Sequence, residues 1–152
     1  MSDLKRPILL VDDSEDDIEF ALRALRGAAV SRPIDVVRDG EEALGYLFDP
    51  ARLASGALPA LILLDIRLPK VDGLEVLRRV RADAAFSAVP VVVLSSSDAP
   101  VDIERAYALG ANSFVRKPVE FFDYAETVGR VGHYWDRVNE IAEEAMTEKG
   151  EP

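Results

Sequence analysis

Short apolar runs alternate with amphipathic stretches along most of this 152-residue chain, and that alternation leaves few folds open. The first run is Ile8-Leu9-Leu10-Val11. Behind it Ile18, Ala21, Leu22 and Leu25 recur at helical spacing. Ser14 with Asp17 three residues later reads as the helix start, and Gly27 as its end. Ile34–Val37 reads as a strand, Gly40–Leu47 as a short helix, and Leu61–Leu64 as a strand without polar alternation, as buried parallel strands are. Leu74, Leu77 and Val80 mark a third helix. Val91–Leu94 follows Pro90 as the fourth strand. Asp98 is placed to cap a fourth helix running to Leu109, with Gly110 just beyond. Ser113–Arg116 reads as a fifth strand, and Val119 to about Thr147 as a fifth helix. Strand and helix alternating five times argue for an α/β fold with one parallel sheet covered on both faces. Right-handed crossovers favour the doubly wound order 2-1-3-4-5, the flavodoxin type.

Composition removes several function classes. There is no cysteine, so disulfides, thiolate metal sites and cysteine nucleophiles are out. The one histidine, His133, excludes any site that needs two. A net charge of −10 opposes binding to nucleic-acid backbones and anionic lipid. No apolar run approaches the roughly 20 residues of a membrane span. No apolar signal core follows Met1-Ser2-Asp3-Leu4-Lys5-Arg6, so a cytoplasmic chain is expected.

Ligands of such sheets sit beyond the carboxyl ends of the strands. There this chain places Asp12 and Asp13 after strand 1, Asp65 after strand 3, Ser95 after strand 4 and Lys117 after strand 5. Three neighbouring carboxylates repel one another, and a hard divalent cation and an ammonium both relieve that repulsion. Mg²⁺ suits the site, because it takes oxygen ligands and keeps several waters. A carboxylate can accept a phosphoryl group as an acyl phosphate. Mg²⁺, Ser95 and Lys117 would each meet one phosphoryl oxygen.

The stretches Ile8–Ser14, Leu63–Pro69, Asp72-Gly73-Leu74, Pro90–Ser95 and Gly110–Pro118 together resemble the receiver domain of two-component response regulators, the CheY-like family. The likeness covers about Pro7 to Val128. It implies that Asp65 is the phosphoacceptor. It implies that Asp12 and Asp13, with Asp65 and the backbone carbonyl of Arg67, hold Mg²⁺. It assigns phosphoryl contacts to Ser95 and Lys117, and switching to Ser95 and Phe114. Arg67 and Ser97 match positions that tune dephosphorylation in the family, and the Lys117–Pro118 bond is typically cis there. The implied partner is a sensor histidine kinase, and the implied response is a changed face on the fourth helix, fifth strand and fifth helix. No effector domain is expected to follow, so output is expected through contacts with a downstream protein. The long stretch Phe48–Ala60 and the late Gly132-His133-Tyr134-Trp135 are similar to single-domain regulators paired with bacterial phytochromes.

Other readings fit less well. The acidic run Asp12–Asp17 lacks the glycine and glutamate of a calcium loop, with Asp17 and Arg23 at those positions. A phosphatase of the haloacid-dehalogenase type needs an aspartate where Arg67 stands, and a cap domain. A flavin carrier needs a phosphate loop that Asp12–Asp17 would repel. The chain is therefore expected to be a signalling phosphoacceptor rather than an enzyme; a receiver that acts without phosphorylation sits poorly with the intact site.

In the fifth helix Val128, Val131, Trp135, Val138, Ala142 and Ala145 repeat at heptad-like steps. A homodimer through Val128, Val131, Tyr134, Trp135 and Val138 is the expectation; packing back on the domain or a tail beyond Asn139 is the alternative. The receiver domain is expected over 1–135, and an acidic helical extension over 136–152, where six acidic residues face two basic ones.

Overall fold

A computed structural model describes residues 5–141. Five strands, β1 (Ile8–Val11), β2 (Ile34–Val37), β3 (Leu61–Leu64), β4 (Val91–Ser95) and β5 (Ser113–Arg116), form one all-parallel sheet in the order β2-β1-β3-β4-β5. The expected topology is the one observed. Strands β1 and β3 are buried at every residue because helices cover both faces.

Successive strand residues point to opposite faces. Leu9, Val11, Ile62 and Leu64 pack with Val76, Leu77 and Val80 of α4 (Gly73–Ala82), Ala43 and Leu47 of α2 (Gly40–Leu47), and Phe86. Ile8, Leu10, Leu61, Leu63, Val92 and Leu94 pack with Ile18, Ala21 and Leu25 of α1 (Glu15–Gly27) and Tyr124 and Val128 of α6 (Phe121–His133). Helices α1 and α2 begin where the sequence supplies side-chain caps. Ser14 Oγ accepts from the Asp17 amide at 3.3 Å, and Asp39 Oδ1 from the Glu42 amide at 2.7 Å.

Three local expectations change. The connection Phe48–Ala60 contains a further helix, α3 (Pro50–Ser55). Asp49 caps it, Pro50 sits at its start, and Gly56 closes it in the left-handed conformation at φ 72°. The helix after β4, α5 (Pro100–Ala108), starts behind Ala99 rather than Asp98, because Pro100 is fixed in the first helical position. No peptide bond among the described residues is cis, so Lys117–Pro118 is trans.

The largest change is at the C-terminal end. Helix α6 stops at His133, one wider turn covers Tyr134–Val138, and Asn139 is extended at φ −71°, ψ 138°. A straight helix to Thr147 is therefore not formed; residues 142–152, with Ala142 and Ala145, lie outside the described residues. The Asp136 carboxylate meets the Arg32 guanidinium at 2.8 Å, with side chains only 0% and 4% exposed. It also accepts from the Ser31 amide at 3.2 Å, while Arg137 donates to the Ala29 carbonyl at 2.7 Å. These contacts pull the turn onto the loop before β2. Ile141, at the end of the described residues, is buried as well.

The dimer stripe changes with it. Val128 is fully buried, and Val131 and Trp135 pack on the same core. Val128 therefore cannot serve a second molecule, because its own domain occupies it. Tyr134 and Val138 remain outside, 47% and 56% exposed.

Candidate functional site

Parallel pairing brings the carboxyl ends of all five strands to one edge. The ladder continues one residue past β1, β3 and β5: the Asp12 amide donates to Val37 O, Asp65 to Val11 O and Lys117 to Ser95 O, at 3.1, 2.9 and 2.7 Å. Those three bonds fix where the polar side chains begin.

Lys117 is the centre of the arrangement. Its Nζ donates to Asp12 Oδ2 at 2.7 Å, Asp17 Oδ2 at 3.0 Å and Asp65 Oδ2 at 3.2 Å. Asp12 Oδ1 accepts from the Ser14 amide at 3.0 Å, and Asp65 Oδ1 from the Arg67 amide at 3.2 Å. Burial pushes the Asp12 and Asp65 carboxyls up from the ordinary value of 3.8, against the pull of Lys117. Burial alone would lower the Lys117 ammonium, but Asp65 and Asp12 outweigh it and hold the proton on.

One carboxylate oxygen from each of Asp12, Asp13 and Asp65 lies within 4.8 Å of the other two. Asp13 is exposed at the rim, Asp12 buried at the base. With Asp17, four carboxylates gather here, and the one ammonium of Lys117 contacts three of them. An all-oxygen donor set with that excess of negative charge fits a hard divalent cation.

The β3–α4 loop is held close by Gly73. A Cβ there would stand 2.3 Å from the Asp65 carbonyl oxygen and 2.5 Å from Ile66 Cα. Only glycine lets the start of α4 approach the residue after β3 this closely.

Ser95 is fully buried, and its Oγ accepts from the Ser97 amide at 3.1 Å. Phe114 lies half-buried against a small cluster of Ile66, Leu74, Val93 and Ala106. The structure thus gathers Asp12, Asp13, Asp65 and Lys117, with Ser95 on the strand between β3 and β5. Phe114 sits on the flank.

Two participants were not singled out in the sequence. Asp17 looked like one more acid in a helix cap, but the first turn of α1 aims it at Lys117. Asp102, in the first turn of α5, accepts from Ser97 Oγ at 2.5 Å and from the Arg67 guanidinium at 3.1 Å.

A sequence model of the response regulator receiver domain matches residues 8–128. The chain belongs to the response regulator receiver family. Within this family it is 41% identical to a probable methanogenesis regulatory protein, FilR2, of Methanothrix harundinacea, over 84% of this chain and 82% of that one. It is 33% identical to the response regulator Rcp1 of Synechocystis, over 89% and 94%. The Mn²⁺-bound form of Rcp1 superposes with a TM-score of 0.84 at 30% identity, covering 90% of this receiver and 99% of that chain. The phosphorylated cyanobacterial phytochrome response regulator RcpA superposes with a TM-score of 0.83 at 35% identity, covering 90% and 97%. No helix among the described residues is long and apolar enough to cross a membrane.

Proposed function

We propose that this receiver accepts a phosphoryl group on Asp65 from a sensor histidine kinase. The observation that carries the reading is the Asp65 carboxylate held at both oxygens, by Lys117 and by the Arg67 amide, beside the acidic pair Asp12 and Asp13. A carboxylate oxygen of Asp65 attacks the phosphorus of a phosphohistidine. The P–O bond forms as the P–N bond breaks, and the electron pair returns to the imidazole nitrogen. Asp12, Asp13, Asp65 and the Arg67 carbonyl would hold Mg²⁺, which supplies positive charge for the phosphoryl oxygens. Lys117 neutralises another oxygen, and Ser95 donates to a third. The protein's own turnover is limited to gaining the group and losing it to water.

The acyl phosphate then biases a two-state element. Ser95 turns toward the phosphoryl group, Phe114 follows, and the face made by α5, β5 and α6 changes for a downstream protein. The likeness to phytochrome response regulators supports a light-sensing kinase as donor, in the cytoplasm. Homodimerisation, in this reading, rests on the exposed Tyr134 and Val138, and sedimentation of the phosphorylated and unmodified protein tests it.

Intact mass after treatment with Mg²⁺ and a small acyl phosphate tests the phosphoacceptor. One added phosphoryl group is expected in the wild type, and none in Asp65→Asn or without Mg²⁺. Beryllium fluoride, which binds without hydrolysing, covers the case of rapid self-dephosphorylation; a wild type that takes up neither probe overturns the reading.

A further inference from the structure

Arg67 stands two residues past Asp65 and reaches sideways rather than over it. Its guanidinium meets Asp102 Oδ2 through one nitrogen at 3.1 Å, with 69% of the Arg67 side chain exposed. Asp102 itself is only 15% exposed and holds Ser97 Oγ at 2.5 Å. Ser97 Oγ in turn accepts from the Ala99 amide at 3.2 Å, and the Ser97 amide donates to Ser95 Oγ at 3.1 Å. A continuous line of polar contacts therefore runs from the loop after the phosphoacceptor, through the first turn of α5, to the buried hydroxyl of Ser95.

We propose that Asp102 is a positioning residue, a latch that keeps the β4–α5 loop and the Ser95 hydroxyl in the unmodified arrangement until Arg67 is drawn away. The inference rests on Asp65 being the phosphoacceptor. A single-pronged, solvent-exposed contact is weak and readily exchanged. A phosphoryl group on Asp65 offers Arg67 an anion of higher charge, with oxygens spaced for two-pronged binding. Arg67 then leaves Asp102. Ser97, no longer held by a fixed carboxylate, moves with the start of α5, and its amide releases Ser95 Oγ. The direction is set by one guanidinium choosing between two anions.

The test is titration of the full chain with beryllium fluoride and Mg²⁺, followed by the amide signals of Ser95 and Ser97. Asp102→Asn removes the competing charge at nearly constant shape. Its affinity for beryllium fluoride is expected to rise about fivefold, at the low end of ordinary coupling. The Ser97 signal of the unmodified variant is expected to move toward its saturated position. Asp102→Glu restores the carboxylate and should restore wild-type behaviour. Ser97→Ala opens the latch from its other side, so it gives the same tightening if Asp102→Asn fails to fold. In an Arg67→Ala background the Asp102→Asn effect should vanish, whereas an acid that merely stabilises the start of α5 would act equally in both backgrounds. Unchanged affinity in both Asp102→Asn and Ser97→Ala, or an undiminished effect without Arg67, overturns the latch and leaves the phosphoacceptor standing. A wild type that binds no beryllium fluoride overturns the phosphoacceptor, and the latch with it.

Discussion

The Lys117 ammonium lies 3.2 Å from the Asp65 carboxylate, although β4 separates the strands that carry them. The long lysine side chain crosses the end of β4 and also meets Asp12 at 2.7 Å. Lys117→Ala would leave two largely buried carboxylates without their cation. Removing one partner of a buried pair costs about 3–5 kcal/mol. That loss is expected in urea unfolding at neutral pH without Mg²⁺. It should shrink in acid, where the carboxyls protonate instead. A loss below about 1 kcal/mol, the worth of a surface pair, would show that Lys117 does not bind these carboxylates in solution.

The upward-shifted Asp12 and Asp65 carboxyls set a pH dependence whose sign follows from linkage. A group that binds its proton more tightly folded than unfolded stabilises the fold below its unfolded value, here 3.8, and loses that contribution as pH rises through its folded value. At neutral pH the folded state therefore favours an uncharged residue at position 65. Asp65→Asn is expected to raise the melting temperature of the metal-free protein by about 2–4 °C. Mg²⁺ competes with those protons, so its stabilisation of the wild type should be small near about pH 4 and larger near about pH 7.5. Scanning calorimetry with and without Mg²⁺ checks both. A Mg²⁺ effect that is larger in acid would contradict the site.

Asp136 tests the ending of the fold. Its side chain is fully buried against Arg32, which is why the chain after His133 turns back. Asp136→Ala is expected to cost about 3–5 kcal/mol, the scale of a broken buried pair. Chemical denaturation measures it. Near-neutral behaviour would mean that the turn is not docked in solution.

Gly73 makes a steric prediction at the same edge. An added methyl would collide with backbone of Asp65 and Ile66. Gly73→Ala should destabilise by about 1–3 kcal/mol and weaken the Mg²⁺-dependent gain in melting temperature. Gly45 in α2 has nothing within 4 Å of the same position. Gly45→Ala should stabilise by about 0.4–1 kcal/mol. Equal effects of the two substitutions would remove the special role of Gly73.

Much of the architecture was legible because periodicity reports burial. Ile8–Val11 and Leu61–Leu64 carry unbroken apolar runs, as strands covered on both faces must. Five strands with helices between them restrict the sheet order to a few possibilities. The polar residues just past each run then had to meet at one edge. Shorter signals are fainter: Asp49, Pro50 and Gly56 are start and stop marks for α3, but six helical residues carry too little amphipathic pattern to stand out. The heptad-like stripe misled for the opposite reason. Val128, Val131 and Trp135 keep helical spacing because they face their own core, and apolar spacing alone does not say whether that face meets the same molecule or another.

Sequence by itself determined the element order, the parallel sheet and the set Asp12, Asp13, Asp65, Ser95 and Lys117 at its edge, because local pattern and strand ends are properties of neighbouring residues. Only the tertiary structure decided that Lys117 gathers Asp17 as well, that Asp102 joins Arg67 to Ser97, and that Asp136 folds the chain back onto Arg32. Each of these depends on a contact between side chains distant in sequence, Lys117 with Asp17, Arg67 with Asp102 and Arg32 with Asp136. Its existence depends on where whole helices pack and on which way a long side chain turns, and neither leaves a period in the sequence.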